Sequence, residues 1–198
     1  MPDFYDRLER YAETVSAVER AAIEAEMWEK FGVEEAVFVL DLSGFSRTAG
    51  KHGIIHCMAM IQRMRGAMAP LVEQFGGKVV KFEADNCFAR FSEPASAVAA
   101  ATECNRRFSE LNAKAEGDFE IHACIGIDFG RFLLVEGVDF FGMPVNIASK
   151  LGEDIAEPGE ILVTHRVMDS IAENAEVTFE PRMYTISGFS IDARLILY

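Results

Sequence analysis

What this chain lacks narrows its class before any motif is read. No stretch approaches the roughly 20 consecutive apolar residues of a membrane-spanning helix, and the opening MPDFYDRLERY is too polar for a signal peptide. A cytoplasmic protein is expected, with no membrane partner. Basic residues are scarce: 19 Lys and Arg stand against 32 Asp and Glu, a net charge of −13. That excess of acid argues against nonspecific binding to nucleic acid or to an anionic lipid surface, since both need a basic face. Any anionic ligand would have to be met by local cations, and metal ions could supply them. The four cysteines, Cys57, Cys87, Cys104 and Cys124, show no CxxC spacing and sit in apolar contexts, so reduced core residues are expected rather than disulfides or zinc ligands. His52, His56, His122 and His165 also lack ligand spacing, although a helix would place the first two on one face. There is no internal repeat, low-complexity tract or dividing linker. With 198 residues, half of them hydrophobic, the chain is long enough for one sizeable core plus an accessory element.

What is present centres on two stretches, AVFVLDLSGFSR (36–47) and VVKFEADNCFARF (79–91). In each, a run of apolar and β-branched residues reads as a buried strand and leads to an aspartate, Asp41 in the first and Asp85 in the second. Two carboxylates at strand ends can converge, and such hard oxygen ligands suit Mg²⁺ or Mn²⁺ together with substrate phosphates. Behind Asp41 come Ser43, Gly44 and Phe45, where the glycine allows a turn tight enough to aim successive N–H groups at an anion. Taken singly, either aspartate reads better as a turn residue or a helix cap.

Periodicity places the remaining elements. Residues 3–31 read as one amphipathic helix, with Leu8, Tyr11, Val15, Val18, Ala22 and Ala25 as its seam. It serves either as a short coiled coil at a dimer contact, the expectation adopted here, or as a helix packed on its own domain. Gly32 would close it as a C′ residue. A second helix over 54–75 carries Ile54, Met58, Ile61, Met64, Met68, Leu71 and Val72 as a core stripe and ends at Gly76-Gly77. Strands at 78–83 and 86–91 form a hairpin whose turn holds Asp85, and Pro94 opens a helix reaching about 114. Strands at 119–127 and 131–136 are expected to form a hairpin about Asp128, Phe129 and Gly130. Helix 144–155, a strand at 160–164, a short helix over 165–171 and strands near 176–180 and 192–197 complete the chain. The leading order β-α-β-β-α-β is ferredoxin-like. The fold class is therefore α+β, an α/β sandwich with helix and strands appended to that core, divided as an N-terminal helix (1–32) and a main domain (33–198).

Four ordered motifs resemble the catalytic domain of the class III nucleotidyl cyclases, the adenylate and guanylate cyclase family. Asp41, Leu42, Ser43, Gly44, Phe45 and Ser46 match that family's D-hydrophobic-x-GF-[ST] segment, which supplies a metal aspartate and a phosphate loop. Gly76, Gly77, Lys81, Ala84 and Asp85 match GG-x-x-x-K-x-x-GD, with alanine in place of the glycine before the aspartate. DFFGMPVNIASKL (139–151) resembles D-x-x-G-x-x-VN-x-A-[SA]-RL, and EPGEILVT (157–164) resembles the PGEI segment after it. The resemblance runs from about Val33 to the C-terminus.

It implies an enzyme that converts ATP to 3′,5′-cyclic AMP and pyrophosphate as a homodimer. Asp41 and Asp85 would hold two Mg²⁺ or Mn²⁺ ions per site, and Leu42 to Ser46 would grip the triphosphate. By resemblance Lys81 and Asp139 read the adenine edge, where guanylate cyclases carry glutamate and cysteine, so ATP is expected over GTP. Lysine donates to a ring nitrogen and aspartate accepts from the exocyclic amine, whereas guanine would meet both with the wrong partners. Lys81, four positions before Asp85, would share its face on an unbroken strand. Asn146 would lie near the ribose. Lys150 stands where the family has a transition-state arginine, keeping the charge but losing the bidentate fork. Ser187, before Gly188, replaces a phosphate-binding lysine. These two departures leave open an alternative: a catalytically silent cyclase-like module that binds nucleotide and dimerises in signalling.

Overall fold

The computed structural model describes residues 2–115, 119–171, 177–186 and 189–198. The chain runs α1 (Pro2–Glu13), α2 (Ala17–Phe31), β1 (Gly32–Leu42), α3 (Phe45–His52), α4 (Ile54–Gln74), β2 (Lys78–Glu83), β3 (Asn86–Phe91), α5 (Pro94–Asn112), β4 (Ala123–Val135), β5 (Asp139–Phe141), α6 (Met143–Ser149), a π-helix (Lys150–Ile155), β6 (Ile161–Thr164), α7 (His165–Asp169), β7 (Thr178–Ile186) and β8 (Phe189–Leu197). The strands form one mixed sheet in the order β2-β3-β1-β4-β6-β8-β7, with β5 on β4. Its first four strands, β2-β3-β1-β4, are the ferredoxin-like unit, and the order predicted from sequence holds. No helix among the described residues is long and apolar enough to cross a membrane.

Each helical connection in that unit skips a strand. β1 reaches β2 across β3 through α3 and α4, and β3 reaches β4 across β1 through α5. The interleaving puts β1 at the centre, paired antiparallel to β3 over Ala36–Leu40 and to β4 from Gly32 to Leu42. Residues 36–40 are wholly inaccessible because both faces are covered. On one face Phe38, Leu40, Ala89 and Ile125 pack under Met64, Met68 and Leu71 of α4 and Ala101 and Phe108 of α5. On the other, Val37, Val39, Phe88 and Phe132 meet Ala148 of α6. This double burial explains why β1 reads as a continuous apolar run rather than an alternation.

Several expectations change. Residues 3–31 form two helices, not one: Thr14 Oγ1 donates to the Arg10 carbonyl at 2.6 Å, and Ser16 restarts the chain as N-cap of α2, accepting from the Glu19 amide at 3.4 Å. α1 folds back on α2 with Phe4 edge-on to Phe31 at 5.0 Å, so the buried residues are Phe4, Ile23 and Met27, while Val15 and Val18 of the expected seam are exposed. Gly32 is extended rather than left-handed; glycine is needed there because a Cβ would lie 2.3 Å from the Trp28 carbonyl oxygen. α4 stands where expected, but Cys57 and Met60 belong to its buried stripe, and Ile54 and Met58 are exposed.

The hairpin predicted about Asp128 is instead the uninterrupted β4. Asp128 faces inward, where its carboxylate accepts from Thr164 Oγ1 at 2.5 Å, from Arg166 and from the Phe129 amide. A turn-forming residue becomes a strand residue once its polar atoms are satisfied by β6 and α7. The segment expected as helix 144–155 changes to a π-helix at Lys150, and β5, not expected from sequence, forms just before it. The four cysteines are free and buried, as read from their spacing.

The β2–β3 turn holds the single non-glycine residue with positive φ among the described residues, Ala84 at φ 47°. A Cβ in the left-handed region costs about 1–2 kcal/mol, part of which glycine would lose again through greater freedom in the unfolded chain. Ala84→Gly is therefore expected to stabilise the fold by roughly 0.5–1 kcal/mol, read as a higher urea midpoint at unchanged slope; an unchanged or lower midpoint would mean the turn carries no strain.

Candidate active site

The site is built where β1 ends. Asp41 is the tenth residue of that strand, opposite Cys124 of β4 and on the same face as Val37 and Val39. Its half-buried position follows from the strand: five inaccessible residues precede it, and the ladder continues one residue beyond. Asp85 sits in the β2–β3 turn, just past the Leu40↔Cys87 pair, so the β1–β3 register carries it toward the end of β1.

The two carboxylates feel each other. Burial, then the charges of Asp85 and Glu153, push the Asp41 carboxyl up to about 7, and burial raises Asp85 as well. Glu153, on the π-helix, is raised by burial, then by Asp154, Glu83 and Asp85. A concentration of carboxylates that resist ionising together is one that a cation would relieve. Two polar atoms beside it, Asn86 Oδ1 and Arg65 Nε, are buried without a hydrogen-bond partner. The donor set, hard oxygens with an orphaned acceptor, fits Mg²⁺ or Mn²⁺. Among the described residues no three His, Cys, Asp or Glu side chains are arranged to hold a metal by themselves, so Asp41 and Asp85 would share an ion with oxygens from a ligand.

Behind Asp41 the chain turns at Ser43-Gly44. Gly44 has φ 80° and ψ 10°, a left-handed conformation, and precedes α3 without a side chain to cap it. The Ser43 amide is already spent on the His122 carbonyl at 2.9 Å, so it does not point at an anion as the sequence suggested. The amides opening α3, those of Phe45 and Ser46, have no intrahelical acceptor and are the ones left for a phosphate. Leu42 is buried and anchors the turn from below.

Lys81 and Asp139, 58 residues apart, are joined by a 3.2 Å hydrogen bond from Lys81 Nζ to Asp139 Oδ2. Lys81 also pairs with Glu83 at 2.9 Å and lies 5.0 Å from the centre of the Phe88 ring. Burial pulls its pKa down, but the bonds to Glu83 and Asp139 outweigh that and hold the ammonium above the usual lysine range. Asp139 Oδ1 accepts from the Phe140 amide at 2.9 Å, which fixes the carboxylate plane. The unbroken strand that would give Lys81 and Asp85 a shared face is not present, because β2 ends at Glu83 and Ala84 turns with φ 47° before Asp85.

Asn146 is exposed on α6, and Lys150 begins the π-helix, its Nζ 3.8 Å from Asp154 Oδ2. The π-helix lies on the sheet backbone itself: a Cβ on Gly152 would be 2.9 Å from the Val39 carbonyl oxygen, and one on Gly126 would be 2.1 Å from that of Ala148. Among the described residues no hydrogen bond or ion pair links Lys81, Asp139, Asn146 or Lys150 to Asp41 or Asp85. Ser187 and Gly188 lie outside the described residues.

Sequence reasoning missed Arg65 and Glu153. Arg65 donates to the Ala84 carbonyl at 2.9 Å and lies over Phe82 at 5.3 Å, bracing the turn that presents Asp85. It occupies the helical stripe of α4, where its one signal was a charge among apolar residues.

The chain has the fold of the class III adenylate and guanylate cyclase catalytic domains. It is similar to the adenylyl cyclase CyaB from P. aeruginosa, with a TM-score of 0.72 at 18% identity over 84% of this chain and 96% of that one. It is similar also to an adenylate/guanylate cyclase/hydrolase from Silicibacter pomeroyi, with a TM-score of 0.68 at 26% identity over 83% and 95%. In sequence it is 24% identical over 144 residues to "Putative adenylate cyclase 3" of Rhizobium meliloti, covering 73% of this chain. The chain spans 24% of the length of that protein. No family model matches the sequence.

The raised Asp41 pKa sets a pH dependence. Its folded value, about 7, lies above the usual carboxylate value. The folded state therefore holds the extra proton between about pH 4 and pH 7 and loses stability as pH rises through that window. Asp41→Asn, in metal-free buffer at pH 8, is expected to melt higher than the parent, by the order of 1 kcal/mol after allowing for solvent screening. At pH 4 the two should coincide; a difference that persists there would come from something other than this ionisation.

Proposed function

We propose that the chain is the catalytic domain of a nucleotidyl cyclase that converts ATP to 3′,5′-cyclic AMP and pyrophosphate in a homodimer. The observation that carries this reading is the convergence of Asp41 and Asp85 beside the uncapped start of α3, a paired carboxylate next to unspent amides. Such a site takes a triphosphate with its divalent ions rather than either alone. The cyclase fold, adenylate or guanylate, supports the reaction class.

In this reading Asp41 and Asp85 hold two Mg²⁺ or Mn²⁺ ions, and the amides of Phe45 and Ser46 receive phosphate oxygens. The ions would supply acidification of the ribose 3′-hydroxyl and charge neutralisation of pyrophosphate. Lys81 donates to a ring nitrogen of adenine and Asp139 accepts from its exocyclic amine, each exchanging the other for the base. Asn146 orients the ribose, and Lys150 leaves Asp154 to place its charge at the α-phosphate. The site is shared between protomers in this reading, with Asp41 and Asp85 from one and Lys81, Asp139, Asn146 and Lys150 from its partner; the lack, among the described residues, of a hydrogen bond or ion pair joining the two sets supports it. The acidic composition fits a cytoplasmic protein that takes nucleotide rather than nucleic acid.

Calorimetric titration of ATP with Mn²⁺ tests the metal pair. Asp41→Ala and Asp85→Ala are each expected to abolish Mn²⁺-dependent ATP binding with the fold intact, because each removes an anionic ligand that phosphates cannot replace. Undiminished binding in either variant would end the proposal.

A second reading, a silent nucleotide-binding module, is favoured by Lys150, whose single ammonium replaces a two-pronged donor and is engaged by Asp154. Loss of one preorganised donor costs about 10²–10³ in rate. Chromatography of products from ATP, GTP and Mn²⁺ is expected to reveal slow formation of the cyclic product from ATP. Lys150→Arg with Ser187→Lys should raise that rate by about the same factor. No product from either protein would make the silent module the correct reading.

A further inference from the structure

The strand that carries Asp139 is weakly held by its own ladder. β5 has three residues and pairs with β4 alone, at Leu133↔Phe141, Leu134↔Phe140 and Val135↔Asp139. So short a strand depends on its side chains for position. Phe140 points into the sheet, edge-on to Phe132 at 5.6 Å and to Phe88 at 6.2 Å. Phe141 engages the N-terminal hairpin: its ring stacks on Phe4 of α1, with centroids 5.7 Å apart and planes 14° from parallel.

Phe4 is a buried anchor, 2% exposed, held edge-on by Phe31 of α2. It shares a cluster with Ile23, Met27 and Val135, and Val135 is the residue directly across from Asp139. The hairpin therefore grips the β4–β5 ladder at both ends, Phe141 at one and Val135 opposite Asp139 at the other. Other ties of α1 are the ion pairs of Asp3 with Lys30 and of Arg7 and Arg10 with Glu26, whose carboxylates are about half exposed so that each contributes little, and the Arg20 guanidinium 5.8 Å from the centre of the Tyr11 ring. α1 is fixed in place chiefly through one aromatic side chain.

We propose that Phe4 is a positioning residue for the base pocket: by clamping Phe141 it fixes β5, and with it the Lys81–Asp139 pair, so that the N-terminal hairpin sets nucleotide affinity and the choice of base. The inference rests on the cyclase reading above. It gives residues 2–31 a role in substrate selection rather than in packing alone. Displacing α1 would loosen base recognition while leaving the metal carboxylates and the phosphate turn untouched.

The test uses the full chain and separates base from phosphate. Binding of ATP, GTP and inorganic triphosphate, each with Mn²⁺, is measured for the parent, Phe4→Ala, Phe4→Leu, Phe141→Ala and the double alanine variant. Loss of the stack is expected to weaken ATP binding about three- to tenfold and to lower the ATP-to-GTP ratio, with triphosphate binding unchanged and Phe4→Leu close to the parent. The double variant should be no worse than the worse single one, because both remove the same contact. Hydrogen exchange at the β5 amides should quicken in the alanine variants while that of β1 stays the same. Should Phe4→Ala fail to fold, Phe141→Ala carries the test, its ring being 41% exposed. Equal weakening of ATP and triphosphate, or no change in either, overturns the clamp and leaves the cyclase reading standing. A parent that binds ATP no better than triphosphate defeats the base-reading proposal itself, and this inference with it.

Discussion

The structure depends on ending a fully buried strand in a carboxylate. β1 is paired on both edges and covered on both faces, so its path is fixed by burial over residues 36–40. Whatever follows is delivered to a defined place at the sheet's end. Asp41 is delivered there half-desolvated, with Asp85 and Glu153 raising its pKa further. Such an arrangement is costly in the free protein and is relieved by a cation. The interleaved connections of α4 and α5 exist in the same logic, since they place β1 in the middle of the sheet rather than at its edge.

Around that fixed end the neighbouring parts differ in how firmly they are held. The Asp85 turn takes an alanine into left-handed geometry and is braced by Arg65 from α4. The π-helix is set directly against the sheet by Gly126 and Gly152, whose missing side chains allow backbone to meet backbone. β5, by contrast, is held by three pairs and two phenylalanines, one of them reaching out to the hairpin. Asp41 and Asp85 are thus set on the core, and Asp139 on a short strand that also touches the N-terminal hairpin. Under the proposed function, that difference is a physical reason for nucleotide selection to be adjustable while the two aspartates stay fixed.

The strongly acidic composition bears on the same division. A chain of net charge −13 repels a nucleoside triphosphate over most of its surface. Under the proposed function, attraction would come from bound cations and from a few side chains, of which Lys81 and Lys150 both stand paired with carboxylates. These pairings keep the lysines ordered and satisfied until a ligand replaces their partners.

Much of the fold was legible because burial writes itself into residue type. The apolar run into Asp41, the β2–β3 hairpin with Asp85 at its turn, α5 opening at Pro94 and the leading strand order all followed from periodicity and punctuation. The candidate site residues came instead from resemblance, through motifs that are local in sequence. The failures share a cause. Asp128 looks like a turn residue until Thr164 and Arg166, 36 and 38 residues away, satisfy its carboxylate. Residues 3–31 look like one helix until Phe4 finds Phe31 and Met27 by folding back. Glu153 has no sequence signal because its relation to Asp41 exists only across the packed π-helix. By itself the sequence determined which residues are buried in regular elements and which carry charge at their ends. Only the tertiary structure decided which of those charges meet, because a hydrogen bond such as Lys81 to Asp139 spans 58 residues and is set by sheet register rather than by spacing along the chain.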